Sequence, residues 1–185
     1  MTPSAPDVNR PAGMPDGDPT DLRAAVAAAW RAAGLQASLR ALYAEADAGL
    51  AGLDATCTAC GACCDFARVP YRLYVSTAEL ALLTRVAPSA PAAPRRCPYQ
   101  REALCTARDR RPLGCRAHFC EASARSAGQA GYERFHGAIR RLHERYRVAY
   151  HYVELTDGLA DVLASAGENA TRGRDPYGRC CPRHG

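Results

Sequence analysis

Eight of the ten cysteines in this chain fall between Cys57 and Cys120, about one position in eight over that stretch. At that density a cysteine-based scaffold becomes the first expectation for the fold. The leading group is Cys57-Thr58-Ala59-Cys60-Gly61-Ala62-Cys63-Cys64. Two-residue gaps let successive sulfurs turn toward one centre. Gly61 is the residue able to take positive φ there and bring backbone N–H groups toward sulfur. Neighbouring side chains diverge, so Cys63 and Cys64 are expected to serve two centres, or one to ligate while the other packs. The later group is looser: Cys97-Pro98-Tyr99, then Cys105, then Arg111-Pro112-Leu113-Gly114-Cys115-Arg116-Ala117-His118-Phe119-Cys120.

Whether such cysteines bridge or ligate depends on the compartment. Residues 1–20 are rich in Pro, Asp, Gly and Ser and hold no apolar run resembling a signal-peptide core. The longest apolar stretch, Leu22 to Leu35, is interrupted by Arg23 and Arg31 and falls short of the roughly 20 residues that span a membrane. The expectation is a cytoplasmic protein without membrane contact, where thiols stay reduced and ligate rather than pair. Cys57, Cys60, Cys63, Cys64, Cys97, Cys105, Cys115 and Cys120 are then the candidate metal ligands, Cys64 and Cys105 being the most dispensable on spacing. A closely spaced triple with a remote Cys-Pro has the character of iron–sulfur ligation. A zinc ribbon would instead use Cys57 with Cys60 and Cys115 with Cys120. Spacing leaves both metals open.

The charge pattern points to the same stretch. All 24 basic residues are arginine, and the formal charge is +5. Between Arg95 and Arg116 seven arginines face two acids, Glu102 and Asp109, while the rest of the chain balances. Ligating thiolates leave a metal centre negative, and nearby guanidinium groups lower thiol pKa and donate to sulfur. Arg111 and Arg116 are therefore expected to support the centre, His118 to donate to a sulfur or hold the local structure, and Tyr99 and Phe119 to cover it from water. A nucleic-acid face is not expected, because aromatic residues are not interleaved in a stacking pattern.

Apolar periodicity supplies the flanking elements. Thr20 is placed as the cap of a helix carrying Leu22, Val26 and Trp30, with Gly34 as its stop. A second helix is predicted over 37–50, with Leu39, Leu42, Tyr43 and Leu50 on one side. Arg72 to Val75 reads as a strand, and Ser76-Thr77-Ala78-Glu79 as a capping box opening a helix through Leu83. Tyr132, Phe135, Ile139, Leu142 and Tyr146 mark a helix of about four to five turns, with His136 and His143 on its solvated side. Leu155, Leu159, Val162 and Leu163 suggest one more, ending near Gly167. The expected fold is mainly α, a small α+β domain over 21–168. Helices flank an irregular cysteine-rich metal centre that takes the place of a core, with a short strand or hairpin near Tyr74 and Tyr99. Residues 1–20 and 169–185, the latter with Cys180 and Cys181, are expected to be tails.

These residues together resemble the CxxCxxCC-motif proteins, also described as YkgJ-like cysteine cluster or zinc- or iron-chelating domain proteins. Cys57, Cys60, Cys63 and Cys64 look like the first signature of that family. Cys97-Pro98-Tyr99 looks like its middle element, and Cys105, Arg111-Pro112, Cys115, Phe119 and Cys120 like its last. The resemblance spans about residues 40 to 160 and implies an iron–sulfur cluster or iron, with zinc as the alternative. It leads to electron transfer, redox sensing or support of an oxidoreductase, with a protein redox partner; a structural zinc module for protein interaction comes second. Flagellin lysine methylases are larger relatives whose cysteine module this chain resembles, which makes a methylase-like enzyme the third reading. No glycine-rich nucleotide pattern and no paired general acid and base supports it, and no catalytic residue is singled out.

Overall fold

Helix α1 (Pro19–Arg31) and helix α2 (Leu35–Leu50) are joined through Gly34, whose φ of 84° only glycine adopts without strain. Thr20 lies inside α1 rather than capping it. The computed structural model describes residues 19–52, 61–68, 71–91, 93–118 and 122–170. The remaining elements are β1 (Tyr74–Ser76), α3 (Thr77–Leu83), β2 (Gln100–Arg101), β3 (Leu104–Cys105), α4 (Leu113–Ala117), α5 (Ala122–Tyr146), β4 (Tyr152–Glu154) and α6 (Leu155–Ala170). The protein is mainly helical, with two small antiparallel sheets. No helix among the described residues is long and apolar enough to cross a membrane.

Every residue of α3 is buried, which is what a helix apolar on all sides requires. The capping box forms as the sequence predicts: Ser76 N donates to Glu79 Oε2 at 2.8 Å, and Glu79 N donates to Ser76 Oγ at 3.4 Å. Helices α1 and α2, strand β1 and the short turn Arg108–Arg110 pack around α3. Glu79 is only 2% exposed, yet its carboxylate is satisfied. Besides Ser76 N, it accepts from Leu113 N at 2.8 Å and from the Tyr43 hydroxyl at 3.3 Å, both at Oε1. One carboxylate thus ties the start of α3, the middle of α2 and the first residue of α4.

Three expectations change and one holds. The metal centre does not replace a core: Leu35, Leu39, Tyr43, Val75, Leu80, Leu82, Ile139, Leu155 and Leu159 are buried together, each worth about 1.5–3 kcal/mol. The short strand near Tyr74 and a hairpin beside Tyr99 are both present: β1 pairs with β4, register Tyr74 to Glu154, and Tyr99 directly precedes the β2–β3 hairpin. Helix α5 is longer than expected at 25 residues, and α6 runs through Gly167 to Ala170. His143 does not face solvent. It is 3% exposed, accepts from Ala78 N at Nε2 (3.3 Å), and at Nδ1 meets Val148 O at 3.2 Å. His136 is also half-buried, against Tyr132 and Tyr150. The predicted tails, with Cys180 and Cys181, lie outside the described residues save for Pro19, Thr20, Asn169 and Ala170, which are helical.

These bonds fix His143 as the neutral imidazole, with the proton on Nδ1. Burial lowers its pKa from the ordinary 6.5, against the neighbouring carbonyls, and His151 and His136 lower it further. A depressed histidine pKa stabilises the folded protein fully above the unfolded value and progressively less as pH falls from there toward the folded value. Denaturant midpoints measured between pH 7.5 and 5 are expected to fall as pH drops below about 6.5, and His143→Gln to flatten that slope. An unchanged slope in the variant would assign the acid sensitivity to other groups.

Candidate metal centre

Five cysteines from four places in the chain line one cavity of about 80 Å³: Cys63, Cys64, Cys97, Cys105 and Cys115. They are all the cysteines among the described residues, and all are free thiols. Cys57, Cys60 and Cys120, and also Phe119, lie outside the described residues.

Each segment is held by its own backbone bonds. Gly61 takes φ of 72°, and Cys64 N closes the following turn onto Gly61 O at 3.1 Å. Gln100 Nε2 donates to Gly61 O at 3.0 Å, and a Cβ on Gly61 would sit 2.9 Å from Ala103 Cα, so this turn rests directly on the β2–β3 hairpin. Cys97 N donates to Cys64 O at 3.1 Å and joins the two cysteine groups. Pro112 opens α4, which carries Cys115, and Leu113 N is anchored by Glu79. Gly61→Ala is expected to cost about 1–3 kcal/mol from backbone strain and the clash with Ala103, read as a lower urea midpoint. A midpoint within error of the parent protein would mean the turn relaxes.

Cys63 and Cys64 do not diverge. Their sulfurs are 4.0 Å apart and both border the cavity. The Cys63, Cys64 and Cys115 thiols are held in the protonated form in this setting. The hydrogen bond with Cys64 and burial push the Cys63 thiol up, and burial with the Cys64 and Cys105 thiols does the same to Cys115. For Cys64 the hydrogen bond from Cys63 lowers the pKa, but the Cys97 hydrogen bond and burial outweigh it and leave it pushed up to about 12.

Of the seven clustered arginines, Arg108 and Arg111 border the cavity. Arg111 lowers the pKa of both Cys63 and Cys115, and its Nε is buried with no hydrogen-bond partner. Arg116 is occupied elsewhere: its guanidinium pairs with Asp47, donates to Arg111 O and Asp109 O at 2.8 Å, and lies 4.2 Å over the Tyr43 ring. Arg95 donates to Phe66 O, and Arg110 pairs with Asp109 at 2.7 Å. The arginine excess is therefore divided between structural bonds and the cavity.

Tyr99 is buried in the cavity wall and donates to Val86 O at 3.0 Å. His118 also borders the cavity, with Nε2 3.3 Å from the Tyr71 hydroxyl. Tyr71, which sequence reasoning passed over, stacks on His118 at 4.7 Å and donates to Cys63 O at 3.2 Å. An aromatic residue shortly after the cysteine group was its only signal.

The donor set fits a soft metal. Thiolates suit iron–sulfur clusters and zinc, and the orphaned Arg111 Nε is a donor waiting for an anionic acceptor such as sulfur. Among the described residues no three His, Cys, Asp or Glu side chains are grouped so as to hold an ion by themselves. No family model, no curated protein and no solved structure matches the chain.

Proposed function

We propose that this cavity is a metal–thiolate centre carrying an iron–sulfur cluster or iron, used for electron transfer, redox sensing or support of an oxidoreductase partner. The observation that carries this reading is the convergence of Cys63, Cys64, Cys97, Cys105 and Cys115 on one enclosed space. Thiols gathered in a cavity give the fold little by themselves, whereas a cation there binds them as stabilised thiolates and releases protons from those that carry them. Cys60 lies three residues and Cys57 six residues before Cys63, and Cys120 two residues after His118, and these three complete the ligand set in this reading, in keeping with the resemblance to the CxxCxxCC proteins. Arg111 donates to sulfur, and a reducing cytoplasm suits the free thiols.

A structural zinc site is the second reading, favoured by the 4.0 Å between the Cys63 and Cys64 sulfurs. Two thiolates on one tetrahedral zinc stand about 3.8 Å apart, given a zinc–sulfur bond of about 2.3 Å. Protein purified without oxygen decides between them. The iron reading expects a brown solution with broad absorption near about 400 nm and iron, with or without acid-labile sulfide, by elemental analysis. Colourless protein with stoichiometric zinc would replace it with the zinc reading, and protein that takes up neither metal would sink both.

A further inference from the structure

Four tyrosines and two histidines of β1, α5, β4 and the residues before β4 form a continuous aromatic cluster. Tyr132 and His136 come from α5, Tyr74 from β1, Tyr150 and Tyr152 from β4 and the residues before it, and His143 from the last turn of α5. Tyr132 and Tyr152 share a hydroxyl–hydroxyl hydrogen bond of 2.5 Å. The Tyr152 ring stacks near His136 at 4.9 Å, Tyr74 at 5.3 Å and Tyr150 at 6.2 Å. The Tyr150 hydroxyl is 2.7 Å from His136 Nε2. At the inner end, a Cβ on Gly114 would lie 3.8 Å from the Tyr132 ring, and Gly114 borders the cysteine cavity beside Cys115. The cluster thus runs from the cavity wall to the half-exposed Tyr150.

Core packing does not require this arrangement. Apolar rings would fill the same space without burying hydroxyls that need partners. Tyr150 has both features of a phenol that can lose an electron at moderate cost. A neutral imidazole accepts its proton along a short hydrogen bond, and the Arg140 guanidinium 5.8 Å over its ring disfavours a cation radical, so electron loss must go with proton loss. Burial lowers the His136 pKa and so keeps the imidazole neutral and ready to accept.

We propose that Tyr150 is a redox-active tyrosine, coupled by proton transfer to His136 and connected through Tyr152 and Tyr132 to the cysteine cavity, where it drains oxidising equivalents from the thiols. The oxidant is a one-electron oxidant of the thiyl class, formed at a cavity cysteine such as Cys115 by a peroxide-derived radical. The thiyl sulfur gains one electron and takes up one proton from the surrounding water, ending as the thiol that this cavity favours. Tyr150 loses that electron while its O–H bond breaks, and the proton forms an N–H bond at His136 Nε2. A neutral phenoxyl and an imidazolium remain, and charge balances. The step belongs to the metal-free protein, in which Cys115 is a free thiol, and rests on rings and hydrogen bonds rather than on the metal reading.

Flash oxidation of the full reduced chain with a photogenerated ruthenium(III) polypyridyl complex tests this, with tyrosyl radical read by transient absorption and electron paramagnetic resonance. Tyr150→Phe is expected to remove the fast radical phase, and His136→Phe to slow it about tenfold or more and abolish its solvent deuterium isotope effect. Tyr146→Phe, whose hydroxyl bonds Ser38 away from the cluster, leaves it unchanged. Over repeated flashes, oxidation of Cys115 measured by mass spectrometry rises several-fold in Tyr150→Phe. Should His136→Phe fail to fold, the isotope effect in the parent protein and the Tyr150→Phe trace decide. Radical kinetics indifferent to Tyr150, no isotope effect in the parent protein, or Cys115 oxidation equal in parent and Tyr150→Phe, overturns the proposal.

Discussion

Replacing Glu79 by alanine is expected to destabilise the fold by about 3–5 kcal/mol, the largest effect of any single side chain outside the cavity. The carboxylate accepts from Ser76 N, Leu113 N and the Tyr43 hydroxyl inside a site that is 2% exposed. Alanine strands three donors where water does not reach, each costing about 1–3 kcal/mol less whatever relaxation recovers. Glu79→Gln separates charge from shape. It keeps an oxygen for Leu113 N but turns an NH2 toward Ser76 N, so a smaller loss of about 1–3 kcal/mol is expected. Urea unfolding of both variants checks this, and a loss below about 1 kcal/mol for Glu79→Ala would show that these bonds are replaceable. Because Leu113 opens the helix that carries Cys115, the alanine variant should also take up less metal than its remaining folded fraction predicts.

Cys115→Ser is expected to reduce bound metal to background and to lower the melting temperature of the loaded protein toward that of the metal-free one. Serine keeps the volume but supplies a hydroxyl, a harder donor that does not ionise at neutral pH, in place of a soft thiolate. Cys57→Ser should behave alike if the ligand set extends to the first cysteine group. Cys180→Ser with Cys181→Ser, outside the motif, should leave the metal content unchanged. Retention of full metal by both Cys57→Ser and Cys115→Ser would refute the assignment of this centre. Loading metal-free protein in weak buffer near pH 7 should acidify the solution, since each coordinating thiol gives up its proton.

The helices were legible because their apolar residues recur at helical spacing, and the capping box because its four residues are contiguous. Long-range relations were not. The second oxygen of Glu79 bonds a residue 34 positions away, and nothing near Glu79 in the chain signals it. Strand β4 is three residues long and finds its partner across nearly 80 positions, too short to show alternation. His143 was misplaced because polarity was allowed to outweigh position: it lies four residues after Ile139, itself four after Phe135, on the ridge that faces the core. At the site, cysteine density marked out the described cysteines as a candidate ligand set, and they line one cavity, but neighbouring in sequence did not make the Cys63 and Cys64 sulfurs diverge. Spacing also did not reveal that Arg116 serves Asp47 and Tyr43 rather than sulfur.

The pairing of β1 with β4 bears on how the centre is made in a cell. Leu155, the first residue after β4, donates to Leu73 O at 2.8 Å and forms part of the cavity wall. In chain order all five cavity cysteines thus precede, by at least 40 positions, the residue that completes the wall around them. Filling the cavity is in this sense a post-translational step, and a nascent chain halted before Leu155 would offer its thiols to any passing metal or oxidant without the wall that selects between them.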